Sequence, residues 1–137
     1  MLYVFDASFI AALIIPDEKN PKVDELRSTI GENEEIFVPQ LLWYEIANIF
    51  NNVVLRKRYS FEEALQFLPF LEAIRLTTDF ETGIGYTEKL MHLSKEYKLS
   101  SYDTAYLELA GRKKATLCTF DEELQKAAPQ YGVKLLK

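Results

Sequence analysis

The sequence predicts an α/β fold, an open and mostly parallel sheet covered by helices on both faces. Three observations predict it. Short apolar runs of strand length alternate with longer stretches of helical periodicity. Capping residues open several of the helical stretches. Strands that return through helices must run parallel, and a parallel sheet needs cover on both sides.

The elements follow in order. Leu2 to Phe5 is a short apolar run and reads as a buried strand. Asp6-Ala7-Ser8 then opens an apolar helix over Phe9 to Ile15, stopped by Pro16, with Asp6 or Ser8 as cap. A second helix follows Pro21, with Val23, Leu26 and Ile30 at helical spacing and Gly31 at its end. Ile36-Phe37-Val38 is a strand before Pro39. Gln40 to Arg58 is a long amphipathic helix, and Ser60 to Ala73 another, opened by the capping box Ser60-Phe61-Glu62-Glu63. Ile74 to Thr77 is a candidate strand. Glu81 to Tyr97 is helical, weakened at Gly83 and Gly85, and Ser100 or Ser101 caps a helix running to Ala110. Ala115 to Thr119 is a strand, Asp121 to Ala128 a helix, and Val133 to Leu136 a last strand.

The 137 residues suit one domain spanning residues 1–137, and no repeat, low-complexity tract or linker interrupts them. With 48% apolar and 27% charged residues, the chain has the composition of a globular protein and not of a disordered one. Its single cysteine, Cys118, excludes an internal disulfide and is read as a small core residue. The start carries no basic leader, and the longest apolar run, Phe9 to Pro16, is too short to span a bilayer. A soluble cytoplasmic protein with no membrane partner is expected. The net charge of −5 and pI near 5.0 argue against capture of nucleic acid by a broadly basic surface. Four acids gathered around divalent metal would cancel most of that excess. The clusters Arg56-Lys57-Arg58 and Arg112-Lys113-Lys114 read as solvated helix ends, where cations complement the helix dipole.

In open parallel sheets ligands sit beyond the carboxyl ends of the strands, where chain order reverses. Asp6 directly follows the first strand, and Asp121 comes two residues after the strand ending at Thr119. Read singly, each has a structural role. Asp6 suits a helix cap, Thr119-Phe120-Asp121-Glu122 fits a capping box with Thr119 as cap, and Asp103 complements the dipole of its helix. Glu45 is less easily explained. It follows Leu42 by three and precedes Ile49 by four, so it lies on or beside the apolar face of its helix. No basic residue stands at helical spacing from it; Asn48 can hydrogen-bond it but cannot neutralise it. A carboxylate losing water there must be paired, protonated or bound to metal. Like charges about 4 Å apart repel by roughly 4 kcal/mol at an effective dielectric near 20, so four acids in one pocket need cations or protons. All-oxygen ligands without a Cys/His cluster suit Mg²⁺ or Mn²⁺, the ions of phosphodiester hydrolysis.

These residues carry a resemblance. The pieces Val4-Phe5-Asp6-Ala7-Ser8, Pro39 to Asn48, Leu99-Ser100-Ser101-Tyr102-Asp103-Thr104-Ala105 and Leu117-Cys118-Thr119-Phe120-Asp121, in this order and spacing, resemble PIN-domain proteins. In size and order the chain is similar to the VapC-like toxin ribonucleases of type II toxin–antitoxin systems. The resemblance implies a three-layer α/β/α fold with a mostly parallel sheet of about five strands. It implies a catalytic and metal-binding quartet of Asp6, Glu45, Asp103 and Asp121, with Ser8, Thr119 and Asn48 in support. It also implies Mg²⁺ or Mn²⁺ as cofactor, RNA as substrate, a cognate antitoxin as partner, and a homodimer.

Two other readings compete. A haloacid-dehalogenase-like phosphatase needs a second Asp two residues after the first, where this chain has Ser8. A non-catalytic PIN-like module would bind RNA or protein without cutting. The stretch Phe61 to Ile74, with Pro69 inside, reads as a kinked core helix pair ahead of a groove for a partner helix. His92, alone on an amphipathic helix, is assigned no chemistry.

Overall fold

The structure is a computed structural model that describes residues 1–16, 20–29 and 33–136. Among these, five strands form one sheet: β1 (Leu2–Phe5), β2 (Glu35–Pro39), β3 (Leu76–Asp79), β4 (Thr116–Cys118) and β5 (Lys134–Leu135). Eight helices surround it: α1 (Ala7–Ile14), α2 (Pro21–Thr29), α3 (Leu41–Leu55), α4 (Phe61–Phe67), α5 (Phe70–Ile74), α6 (Ile84–Tyr97), α7 (Ser101–Lys113) and α8 (Glu122–Tyr131). Ile30 and Gly31, expected at the end of the second helix, lie outside the described residues.

Strand order is β3-β2-β1-β4-β5, and every pairing is parallel. The chain moves outward from β1 through β2 to β3, then crosses back to build the other side from β4 to β5. The switch point therefore falls between β1 and β4.

Side-chain alternation along the strands splits the core into two layers. Tyr3 and Phe5 of β1, Ile36 and Val38 of β2 and Cys118 of β4 face one layer, packed against α1, α2, α3, α4 and α5. Val4, Phe37 and Leu117 face the other, with Tyr106, Leu107, Leu109 and Ala110 of α7 and Leu124, Ala127 and Ala128 of α8. A third layer of cover, α6, packs on α7. No helix among the described residues is long and apolar enough to cross a membrane.

Several boundaries differ from expectation for identifiable reasons. α3 stops at Leu55, not Arg58, because Lys57 takes a left-handed conformation and the N–H of Arg58 turns back to the Val53 carbonyl. Pro69 divides the next helix into α4 and α5, and the Ser60–Glu63 capping box opens the first piece. Ile74 ends α5 and is no strand residue; the left-handed Arg75 separates helix from strand, which moves β3 to Leu76–Asp79. Gly83, at φ 106°, delays α6 to Ile84. The α4–α5 pair is only half core: Ala64 and Leu71 are buried, whereas Phe61, Leu65, Leu68 and Phe70 are exposed.

Candidate functional site

Parallel register brings the first two acids together. Phe5 pairs with Cys118, and the Asp6 N–H continues the ladder to the Cys118 carbonyl at 3.2 Å. Asp6 and Thr119 therefore leave adjacent strands side by side at the switch point, and the Thr119 hydroxyl donates to Asp6 Oδ2. Asp6 Oδ1 accepts from the Phe9 N–H at 3.0 Å, as cap of α1, and from the Ser8 hydroxyl at 2.7 Å. Three donors thus hold one buried carboxylate. The resemblance names Ser8 and Thr119 as support for the acidic site; both hydroxyls donate to Asp6.

Thr119 is not the cap of α8. Asp121 is, accepting the Leu124 N–H at 2.9 Å, while the Asp121 N–H donates to Thr119 Oγ1. The expected capping box fails because the Thr119 hydroxyl is drawn to Asp6, a partner that sequence spacing cannot display. It now links two of the acids through one hydroxyl.

Glu45 and Asp103 arrive from opposite faces of the sheet, on α3 and α7. Ser100 caps α7 by accepting the Asp103 N–H at 3.1 Å, which fixes Asp103 in the first turn. Tyr106, one turn later and fully buried, donates its hydroxyl to Glu45 Oε1. Sequence reading missed Tyr106. Its only visible signal is the three-residue spacing from Asp103, which puts both on one side of α7. Asn48 is exposed and makes no hydrogen bond to the acids among the described residues.

The electrostatics tie the four acids into one group. Burial pushes the Asp6 carboxyl above its ordinary range; Thr119, Phe9 and Ser8 pull it down, and the charge of Asp121 raises it further. Burial likewise raises Glu45, against the Tyr106 hydrogen bond, with Asp103 and Asp6 adding to the rise. Asp103 is raised by burial and by Asp121. Burial and the bond to Glu45 push the Tyr106 hydroxyl far above the usual tyrosine range, so it stays a donor. Asp6, Glu45 and Asp103 each feel at least one other acid, and no Lys or Arg is among the charges that act on them.

The donor set is all oxygen, the chemistry of a hard divalent ion. Among the described residues, no three Asp, Glu, His or Cys side chains converge tightly enough to enclose an ion directly.

A second polar cluster lies along α7. Arg112 binds Asp79 through both terminal nitrogens, at 2.9 and 2.7 Å, and buried Glu108 through Nε at 2.9 Å. Lys89 of α6 adds a bond to Glu108 at 3.0 Å. Arg112 is therefore not the solvated helix end expected from sequence. Its neighbour Lys113 lies over the Phe37 ring, 4.8 Å from the centroid. His92 is exposed and, among the described residues, lies near Glu88 alone, at 3.6 Å.

Known proteins identify the fold that carries these acids. The profile of the PIN domain family matches residues 3–129. The chain belongs to the PIN domain family. Ribonuclease VapC3 of Pyrobaculum aerophilum is 27% identical over 133 residues, covering 94% of this chain and 96% of that relative. PAE2754, also from Pyrobaculum aerophilum, shares the fold with a TM-score of 0.72 at 20% identity, over 99% of this chain and 90% of that one. VapBC2 from Rickettsia felis, solved bound to a promoter DNA fragment, superposes with a TM-score of 0.71 at 18% identity, over 98% of this chain and 97% of its own. Sequence placed the chain in this family and fold, and both hold.

Proposed function

We propose that this PIN-domain protein is a divalent-metal-dependent endoribonuclease and the toxin of a toxin–antitoxin pair. One observation supports the reading: Asp6, Glu45 and Asp103 come from separate segments, each is raised by the charge of another acid, Asp121 among these, and no cation acts on the three. Such a group lacks a counter-charge, and Mg²⁺ or Mn²⁺ supplies one. The likeness to Ribonuclease VapC3 supports RNA as the substrate.

In this reading Asp6, Glu45, Asp103 and Asp121 hold the ion directly or through water. When bound, the ion lowers the pKa of a water and offsets charge on the leaving oxygen of the phosphodiester. Ser8, Thr119 and the Phe9 N–H fix the Asp6 carboxylate in one orientation. Tyr106 does the same for Glu45, occupying Oε1 and leaving Oε2 for the ion or its water. Asn48, one turn beyond Glu45 and exposed, is a contact for substrate and not for the ion.

The antitoxin seat is the apolar groove of about 770 Å³ between α3 and the α4–α5 pair, lined by Trp43, Phe50, Phe61, Leu65 and Leu68. Its apolar lining suits one face of a helix. The family resemblance and the VapBC neighbour support this partner, and the resemblance supports a cytoplasmic homodimer.

The test is direct. Purified protein is incubated with total RNA and Mn²⁺ or EDTA, beside Asp6→Asn. Cleavage that needs Mn²⁺ and disappears in the variant is expected. RNA intact under every condition overturns the nuclease and leaves the non-catalytic binding module.

A further inference from the structure

A second apolar cavity lies away from both the acids and the groove beside α3. It measures about 780 Å³ and is enclosed by α1, α2 and α5 over the strands β1 and β2. Buried Phe5 and Ile36 form its floor. One wall is the end of α1, with half-buried Leu13; the other is α5, where Ile74 is half-buried and Phe70 is 57% exposed. The cause is local. Pro69 starts α5 and the left-handed Arg75 stops it after five residues, so this short helix buries Leu71 and leaves Phe70 and Ala73 in water. A space of this size falls within the range of about 300–1,000 Å³ that small-molecule pockets occupy.

Charge enters this cavity from α2 alone, where Asp24 and Arg27 stand one turn apart and both line it. They form no ion pair with each other. A terminal nitrogen of Arg27 donates to the Leu13 carbonyl at 2.5 Å, which holds the guanidinium across to the wall made by α1. Among the described residues no carboxylate pairs with it. A guanidinium carries five donors in a planar fork, and most of this one is unspent. An apolar trough with a tethered, unpaired cation at its rim suits a ligand that is apolar along its length and anionic at one end.

We propose that this cavity binds a free long-chain carboxylate, with the alkyl chain along Leu13, Phe70 and Ile74 and the head on Arg27. The site stands apart from the nuclease reading and does not depend on it. The chain covers apolar surface that the fold leaves in water, which supplies affinity. The carboxylate meets the free edge of the Arg27 fork in a charge-assisted bond, which supplies the preference for an anion. Asp24 works against it, as a like charge on the same rim.

Isothermal titration calorimetry tests this, in EDTA so that no divalent ion draws the carboxylate to the acids. The probes are octanoate, decanoate and dodecanoate below their micelle concentrations, with decanol and decylamine as controls. Affinity is expected to rise about fourfold per added methylene. Decanoate should bind about tenfold more tightly than decanol, and decylamine more weakly than either. Arg27→Gln, at an exposed position, should bring decanoate to the level of decanol, whereas Asp24→Asn should tighten it. Ala73→Trp, exposed on α5, should fill the cavity and block all three carboxylates, with circular dichroism confirming the fold. Ala47→Trp, in the groove beside α3, should change nothing. No binding of dodecanoate, equal affinity for decanoate and decanol, or full binding by folded Ala73→Trp overturns the proposal. So does block by Ala47→Trp, which moves the ligand to the other groove. A dimer that Ala73→Trp turns into a monomer in sedimentation overturns it too, by assigning the cavity to contact between copies.

Discussion

Helix α7 serves two clusters of acids that are built on opposite principles. At its start, Asp103 and Tyr106 join Asp6, Glu45 and Asp121, where burial and mutual repulsion raise the carboxyls of Asp6, Glu45 and Asp103. Further along, Glu108 and Arg112 join Asp79 and Lys89, where the Arg112 hydrogen bonds hold Asp79 below the carboxylate range. Burial opposes ionisation of Glu108 as well, yet Arg112 and Lys89 prevail and lower it. Two acids meet two cations in the second cluster, and its charge closes within the chain. The first does not close. The contrast between one acid group neutralised within the chain and another left uncompensated a few turns away is what the proposed divalent ion would resolve.

The largest test of this contrast is Asp6→Asn. Asparagine keeps the cap of α1 and nearly the same volume but removes the best-held charge. RNA cleavage is expected to fall by more than about a hundredfold, beyond the losses typical of outer partners in a metal site. A gel assay under single-turnover conditions measures it.

Arg112→Met attacks the closed cluster. It leaves Asp79 unpaired and Glu108 with Lys89 alone, and a loss of about 3 kcal/mol in urea unfolding is expected, as for a buried pair deprived of one partner. Cleavage per folded molecule should change little. A variant as stable as the parent would mean that the network is solvated in practice.

Tyr106→Phe probes the open cluster more gently. Stability is expected to shift by only about 1 kcal/mol, because one hydrogen bond is lost while the ring still fills its place. Without its donor Glu45 is free to rotate, so cleavage at limiting Mn²⁺ should drop about tenfold and recover partly at higher Mn²⁺. Titration of Mn²⁺ against rate separates this from a folding defect.

The smallest effect is in pH dependence, where the two clusters carry opposite signs. Asp6, Glu45 and Asp103 have folded pKa values raised above their unfolded ones, so the folded state holds the extra protons. In EDTA their contribution falls as pH rises from the ordinary carboxylate range through the raised values. Asp79 and Glu108 are lowered, so their stabilisation is present above the ordinary range and is lost as pH falls through the folded values. Melting in EDTA should therefore show Asp6→Asn gaining on wild type toward neutral pH, a gain that Mn²⁺ erases. An equal difference at all pH values would break the link between burial and charge.

Much of this was legible in the residues. Strand and helix order followed from apolar period and caps, and it put Asp6 and Asp121 just beyond the ends of two strands, which the sheet order makes neighbours. Glu45 was exposed as anomalous by its place beside an apolar stripe without a base at helical spacing. What escaped depended on contacts between distant positions. Tyr106 meets Glu45 across 61 residues and Arg112 meets Asp79 across 33, and no local pattern encodes either pairing. Thr119 looked like a cap because its true partner, Asp6, lies 113 residues away. Ile74 looked like a strand residue because β-branching favours strands, until Pro69 restarted the helix that claims it.

Cys118 sits with no exposed surface in β4, its carbonyl bound to Asp6, and burial pushes its thiol well above the usual range. As the chain's one sulfhydryl, it can be alkylated only when the strand beside the acids opens. An ordinary thiol reagent thereby becomes a clock for transient opening at this point of the molecule. If Mn²⁺ binds the acids as proposed, labelling should slow after its addition, and the slowing would measure how far the ion holds the two central strands closed, without any substrate present.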